Sequence, residues 1–246
     1  METIYFLVQQ TMLFSIPLLL VALGGMFSER SGVVNIALEG IMIIGAFTGI
    51  FFISRFGNLF SPTITLFIAI IISALSGLIF SLLHAYASIN MSADQVISGT
   101  ALNIFAPAFA IYVTRAIQVV QQISFVNNFR IESVPVLGNI PIIGNLLFKN
   151  AYITTYLGFI ILALSWFALY KTRFGLRLRS CGEHPQAADS VGINVYKMRY
   201  FGVAISGALA GIGGLVFVIP TSTNFNATVA GYGFLALAVL IFGQWK

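Results

Sequence analysis

The chain has 246 residues, of which 59% are hydrophobic and only 8% are charged. A soluble globular domain carries roughly 25% charged residues, so an ordinary water-exposed surface is excluded and the apolar excess must face lipid. The net charge of +5 is too small to point to nucleic acid, and the basic residues gather in one segment, which in a membrane protein reports orientation.

A membrane-spanning helix needs about 20 mostly apolar residues. The first such stretch is 4–27. It follows Glu2, and no Lys or Arg precedes Arg30. A cleavable signal peptide needs a basic leader and a small-residue cleavage site, so this stretch reads as a retained helix. The second span is 36–53. Between them, residues 28–40 read SERSGVVNIALEG. Ser31-Gly32 can break a helix and free backbone groups toward a cavity, and broken helices recur where transporters hold polar substrates. Asn35 and Glu39 lie in this break. An acid at membrane depth is expensive and usually faces a cavity or a partner. The plainer account is a short turn, with Glu39 in the first helical turn favoured by the helix dipole.

The third span is 64–87 and the fourth 96–113. Residues 90–103 between and into them read NMSADQVISGTALN. Ser92 or Asp94 can cap the fourth helix. Gln95, Ser98, Thr100 and Asn103 carry polarity into the span, where such side chains either bond neighbouring helices or line a solute path. Residues 114–150 form a long loop with Pro135, Gly138, Pro141 and Gly144, turn residues that argue against another spanning helix. A short helix, a hairpin or a plain connector at the outer mouth all fit.

The fifth span, 152–170, leads into a polar loop at 171–199. Its start, with Lys171, Arg173, Arg177 and Arg179, reads as an anchor at the lipid surface. Its middle, 183–190, reads as a short helix started by Pro185 and stopped by Gly192. The sixth span is 200–219, and a seventh apolar run occupies 231–242, near the last residue Lys246. Gly45/Gly49 and Gly207/Gly211 are spaced to let helix backbones approach closely. The lone Cys181 cannot form an internal disulfide and reads as an incidental thiol.

With 171–199 on the cytoplasmic side, alternation places 28–35 and 88–95 there too. The inside segments then hold seven Lys or Arg and the outside segments four. That bias sets the orientation and puts the N-terminus outside.

Enzyme readings are weak. The chain has no phosphate-binding G-x-x-x-x-G-K-[ST] loop, no H-E-x-x-H and no G-x-S-x-G elbow. With only His84 and His184, no metal centre and no cofactor is expected. An ion-coupled carrier would need intramembrane ionisable groups, for which Glu39 and Asp94 are the candidates. A membrane enzyme or a non-transporting scaffold is the third class.

The segments SERSGVVNIALEGIMIIGAF, ADQVISGTALN and GLRLRSCGEHPQAADSVGINVYKMRYFGVAISGALAGIGG resemble ABC importer permeases of the branched-chain-amino-acid/ribose superfamily, nearest its simple-sugar and nucleoside subgroup. The resemblance implies an all-α transmembrane bundle of six to seven spans, with 1–246 as one permease domain in a bacterial cytoplasmic membrane. It implies a chain that hydrolyses nothing and works with a separate ATPase, a second similar permease and an extracytoplasmic solute-binding lipoprotein. In such permeases a G-x-x-P-x-A-A stretch is the coupling helix; it matches Gly182, Pro185, Ala187 and Ala188 here, flanked by Glu183, His184 and Gly192. Sugar-type relatives carry an acid where this chain has Asn35, which favours nucleosides. Relatives continue with further spans, so a C-terminally incomplete chain is expected.

Overall fold

The computed structural model describes residues 2–126, 129–133 and 149–245. Chain order is α1 (Glu2–Arg30), α2 (Leu38–Phe56), α3 (Pro62–Ala85) extended by a π-turn at Tyr86–Asn90, α4 (Gln95–Gln118), β1 (Ile123–Ser124), β2 (Arg130–Ser133), β3 (Lys149–Tyr152), α5 (Ile153–Lys171), α6 (Arg173–Glu183), α7 (Pro185–Ser190), α8 (Val195–Thr221), β4 (Asn224–Phe225) and α9 (Tyr232–Phe242). Among the described residues, six helices (α1 to α5 and α8) are long and apolar enough to cross a membrane. The expected all-α bundle and its six long apolar stretches are therefore present.

Local chemistry sets the helix ends. Ser61 and Pro62 open α3, the Asp94 side chain caps α4, Thr172 caps α6 and Asn194 caps α8. The Asn194 carboxamide oxygen accepts from the Lys197 N–H at 2.9 Å. Caps of this kind satisfy amides that the first helical turn leaves free. At the other end of α7, Ile193 N donates to Ala188 O and Gly192 N to Asp189 O. Gly192 sits at φ +82, the left-handed conformation that ends a helix with such a bond pair.

The bundle is organised around α8, which packs against α1, α2 and α3. Its most apolar window is 78% buried, against 22% for α4. That contrast makes α8 the axis and α4 a peripheral helix. Close approach is achieved with small residues, as the glycine spacing predicts. Gly45 of α2 faces the backbone of Gly211 in α8, and Gly211 faces the carbonyl of Ser73 in α3. A Cβ at either glycine would overlap these atoms. Ser73 Oγ donates to Gly45 O at 2.8 Å, fastening the same crossing.

Two features differ from the sequence expectation, and in a third, the 114–150 loop, antiparallel pairing agrees with the hairpin among its alternatives. The basic segment after α5 is a helix, α6, and not only an anchor. It buries Leu178 and Cys181 against Met26 and Phe27 of α1 and Met198 of α8. The seventh apolar run is the eleven-residue α9, about 16 Å long at 1.5 Å per residue, half the hydrocarbon thickness of about 30 Å. The 114–150 loop contains strands: β1 pairs antiparallel with β4, and β2 with β3. Pro135, Gly138, Pro141 and Gly144 lie outside the described residues.

Two outcomes follow from this packing. Gly211→Val should destabilise the bundle by about 3 kcal/mol through overpacking, read as a lowered Tm in detergent; an unchanged Tm would contradict the α2–α3–α8 crossing. Burial pushes the Cys181 thiol above its ordinary range, only partly offset by Arg199. Maleimide should therefore label Cys181 slowly at pH 8 in the native protein and fully after denaturation, as counted by mass spectrometry.

Candidate functional site

The polar segments singled out in the sequence meet at the break between α1 and α2. Residues 31–37 are non-helical, starting with a turn in which Gly32 adopts φ +88. In a lipid environment every exposed backbone N–H or C=O must find a partner within the protein. Here side chains from α1, α3 and α4 supply them, together with Asn35 of the break itself. Ser28 Oγ donates to Val33 O at 2.6 Å. Val34 N donates to Gln95 Oε1 at 2.8 Å, and Val34 O bonds His84 Nε2 at 3.0 Å. Asn103 Nδ2 donates to Ile36 O at 2.8 Å, while Asn103 Oδ1 accepts from Gly40 N at 2.8 Å. Asn35 Oδ1 accepts from Ala37 N at 3.1 Å, and its amide nitrogen donates to Ser206 Oγ at 2.9 Å.

A carbonyl oxygen can only accept, so His84 Nε2 carries the hydrogen toward Val34. The other ring nitrogen, Nδ1, lies 2.8 Å from the Ser98 hydroxyl. His84 is fully buried.

The break lies beside α8. Ser206, the partner of Asn35, is six residues beyond Tyr200, where the apolar part of α8 begins after Lys197 and Arg199, about 9 Å along the helix. Helix α2 starts here and ends beside β1.

Glu39 lies at the same level and is 7% exposed. Its two carboxylate oxygens accept from Gly231 N at 2.9 Å and Gly233 N at 2.6 Å. Gly231, at φ +80, is the N-cap position of α9. Gly233 packs directly on the Glu39 backbone, leaving no room for a side chain. Helix α9 then runs the opposite way from α2. Its Leu240 reaches the cluster of Met26, Phe27 and Leu178 near α6. The N-termini of α2 and α9 thus face one another across a single carboxylate, and both helix dipoles favour negative charge at that point.

Of the seven residues expected along a solute path, Asn35, Glu39, Gln95, Ser98 and Asn103 are brought together. Gln95, Ser98 and Asn103 are half-buried and form the accessible edge of the cluster. Asp94 and Thr100 are exposed on α4. Asp94 accepts from Val96 N and Ile97 N at 2.8 and 3.1 Å, and the Thr100 hydroxyl bonds Val96 O in its own helix at 2.8 Å. Sequence reasoning missed Ser28, His84 and Ser206. For His84 a signal existed, an ionisable residue inside an apolar helix. A serine in such a helix carries none.

The second group, Gly182 to Gly192, forms one unit at the far end of α1. Gly182 presses on the α1–α2 turn: a Cβ there would stand 2.5 Å from Arg30 O and 3.1 Å from Gly32 N. Glu183 ends α6 and His184 stands at the N-cap of α7. Ala188 is buried, whereas Glu183, His184, Ala187 and Gly192 are exposed. Pro185 occupies the first turn of α7.

The sequence profile described as branched-chain amino acid transport system / permease component matches residues 7–246. The nucleoside ABC transporter permease protein NupC of Lactococcus lactis subsp. cremoris is 44% identical over all of this chain and 77% of that protein. The guanosine ABC transporter permease protein NupQ of Bacillus subtilis is 46% identical over 97% of this chain and 75% of that protein. A glucose ABC transporter permease protein of Haloferax volcanii is 22% identical over 94% of this chain and 62% of its own length. No solved structure matches the chain.

Asn103→Ala leaves Ile36 O and Gly40 N without partners. At roughly 1–3 kcal/mol for each buried unsatisfied group, it should destabilise the fold by about 2–4 kcal/mol. Thr100→Ala, on an exposed face, should stay within about 0.5 kcal/mol. Thermal unfolding in detergent compares the two, and equal Tm values would refute the clamping role of Asn103.

Proposed function

The chain belongs to the family of branched-chain amino acid transport system permease components, and we propose that it is the membrane permease subunit of an ATP-driven importer of nucleosides. The nucleoside assignment is supported by the two relatives at 44% and 46% identity, both named as nucleoside or guanosine permeases. The ion-coupled reading draws less support, because both acids it would use are engaged as caps: Glu39 on α9 and Asp94 on α4.

The observation that carries the mechanism is the seat of Gly182 on Arg30 and Gly32. In this reading a separate ATPase docks on the exposed side of α7, at Glu183, His184, Pro185 and Ala187, in the cytoplasm. Ala188 and Cys181 lock α6 and α7 to the ends of α1 and α8. Closure of the ATPase displaces this unit as one body. Gly182 transmits the shift to the turn at Gly32, and from there to the break at 33–37. The solute passes the half-buried edge formed by Gln95, Ser98 and Asn103, close to Asn35 and Glu39. A hinge at such a break, where the backbone absorbs the change, is a common means of alternating access.

The remaining parts of the system are assigned by the same reading. A second, similar permease completes the pathway, and a solute-binding lipoprotein on the outer side delivers the nucleoside. The membrane is the bacterial cytoplasmic membrane, with 171–199 inside and 114–150 outside.

Proteoliposomes holding the chain with its partner permease, ATPase and lipoprotein should accumulate labelled guanosine only with ATP. Accumulation driven by a proton gradient without ATP would reject the proposal. Ala187→Arg should reduce ATPase co-purification and uptake at least about tenfold without changing Tm, since the side chain is exposed. Ala188→Arg should instead lower Tm, because a buried unpaired charge is destabilising. The same Tm loss in both variants would show that α7 has no free docking side.

A further inference from the structure

We propose that Gln95 selects the base of the cargo: its amide nitrogen donates to the acceptor edge of a 6-oxopurine nucleoside and discriminates against 6-aminopurines. The inference rests on the nucleoside reading above and adds to it the residue that reads the base.

The backbone of the break fixes how Gln95 is turned. A peptide N–H can only donate, so the Gln95 oxygen is the atom that meets Val34 N, 2.8 Å away. The –NH2 group on the other side of the same carbon is therefore turned away from the break. Among the described residues it makes no hydrogen bond, and Gln95 is only half-buried. Asn103, about 12 Å further along α4, is held in the same manner. Its oxygen accepts from Gly40 N and its nitrogen donates to Ile36 O, which leaves one amide hydrogen over. Both carboxamides thus spend their oxygens on backbone N–H groups and keep hydrogens in surplus. The two side chains and their three backbone partners all lie within residues 34–103, so this imbalance is set inside the polar break itself.

The imbalance decides which base edge fits. A glutamine with both ends free pairs best with adenine, its oxygen accepting from N6 and its nitrogen donating to N7. In this chain the oxygen is committed to Val34, and that pairing is lost. What remains is a donor. A 6-oxopurine such as guanine presents O6 and N7, two neighbouring acceptors, whereas adenine presents a donor at N6. The Gln95 –NH2 group therefore meets an acceptor in the first case and a second donor in the other. The clamp on the break and the choice of base are two ends of one side chain.

The test is ATP-driven uptake by proteoliposomes holding this chain with its partner permease, ATPase and lipoprotein. Guanosine, inosine and adenosine are supplied at equal concentrations with different labels. Gln95→Glu keeps an oxygen for Val34 N and puts a second oxygen where the –NH2 group stood. It should lower the guanosine-to-adenosine uptake ratio at least about tenfold, because a site built to bond one polar group strongly rejects the wrong one, and should leave Tm unchanged. The lipoprotein is the same in both samples, so its own preference cancels between the two ratios. Inosine, which shares O6 and N7 with guanosine but lacks its 2-amino group, should follow guanosine. An unchanged ratio in Gln95→Glu would overturn the inference and leave the importer reading standing. So would inosine following adenosine, or an equal loss of all three nucleosides with a lowered Tm, the result expected of a residue that only holds Val34. Absence of ATP-driven uptake of any nucleoside by the wild type would instead reject the importer reading, and this inference with it.

Discussion

The architecture depends on one buried carboxylate. Glu39 sits in the first turn of α2 and accepts two amides from the first turn of α9. The nineteen-residue α2 and the eleven-residue α9, whose N-termini meet inside the bundle, are joined there. Each presents its positive dipole end to the same negative group. Without that charge, two sets of unpaired helical amides would confront each other in an apolar interior, where each orphan group is costly. The close contact of Gly233 with the Glu39 backbone shows how tightly the junction is drawn.

Around this junction the bundle divides its work. The α2–α3–α8 crossing is built from glycine and serine and holds the axis in place. The break at 31–37 is held by side chains of α1, α3, α4 and α8. The α6–α7 unit is held to the bundle by apolar contacts, Leu178, Cys181 and Ala188 among them. Rigid axis, bonded break and packed α6–α7 unit are thus three separately fastened parts of one bundle.

Much of this was legible in the sequence. Hydropathy alone located six spans, because lipid demands long apolar runs. The SERSGVVNIALEG and ADQVISGTALN segments were recognisable as polar intrusions, since polarity in a span needs a reason. What they bind was not legible. Asn103 and Gln95 clamp backbone atoms more than sixty residues away, and no local pattern encodes a partner at that separation. Helix α6 was hidden because its charges read first as a surface anchor, although Leu178 and Cys181 face inward. For α9, composition gave the apolar run but not the contact at its start, where Gly231 N meets Glu39 nearly two hundred residues earlier.

The way the break at 33–37 is bonded has a consequence for kinetics. In a regular helix, bending at one point strips several amides at once, and in hydrocarbon that penalty would freeze the joint. Here the contacts come from separate rotatable groups: a serine hydroxyl, two carboxamides and an imidazole. Each can rotate with the backbone group it holds. In the hinge motion proposed above, the barrier would therefore divide into small consecutive steps, with each peptide group keeping a partner as the break bends.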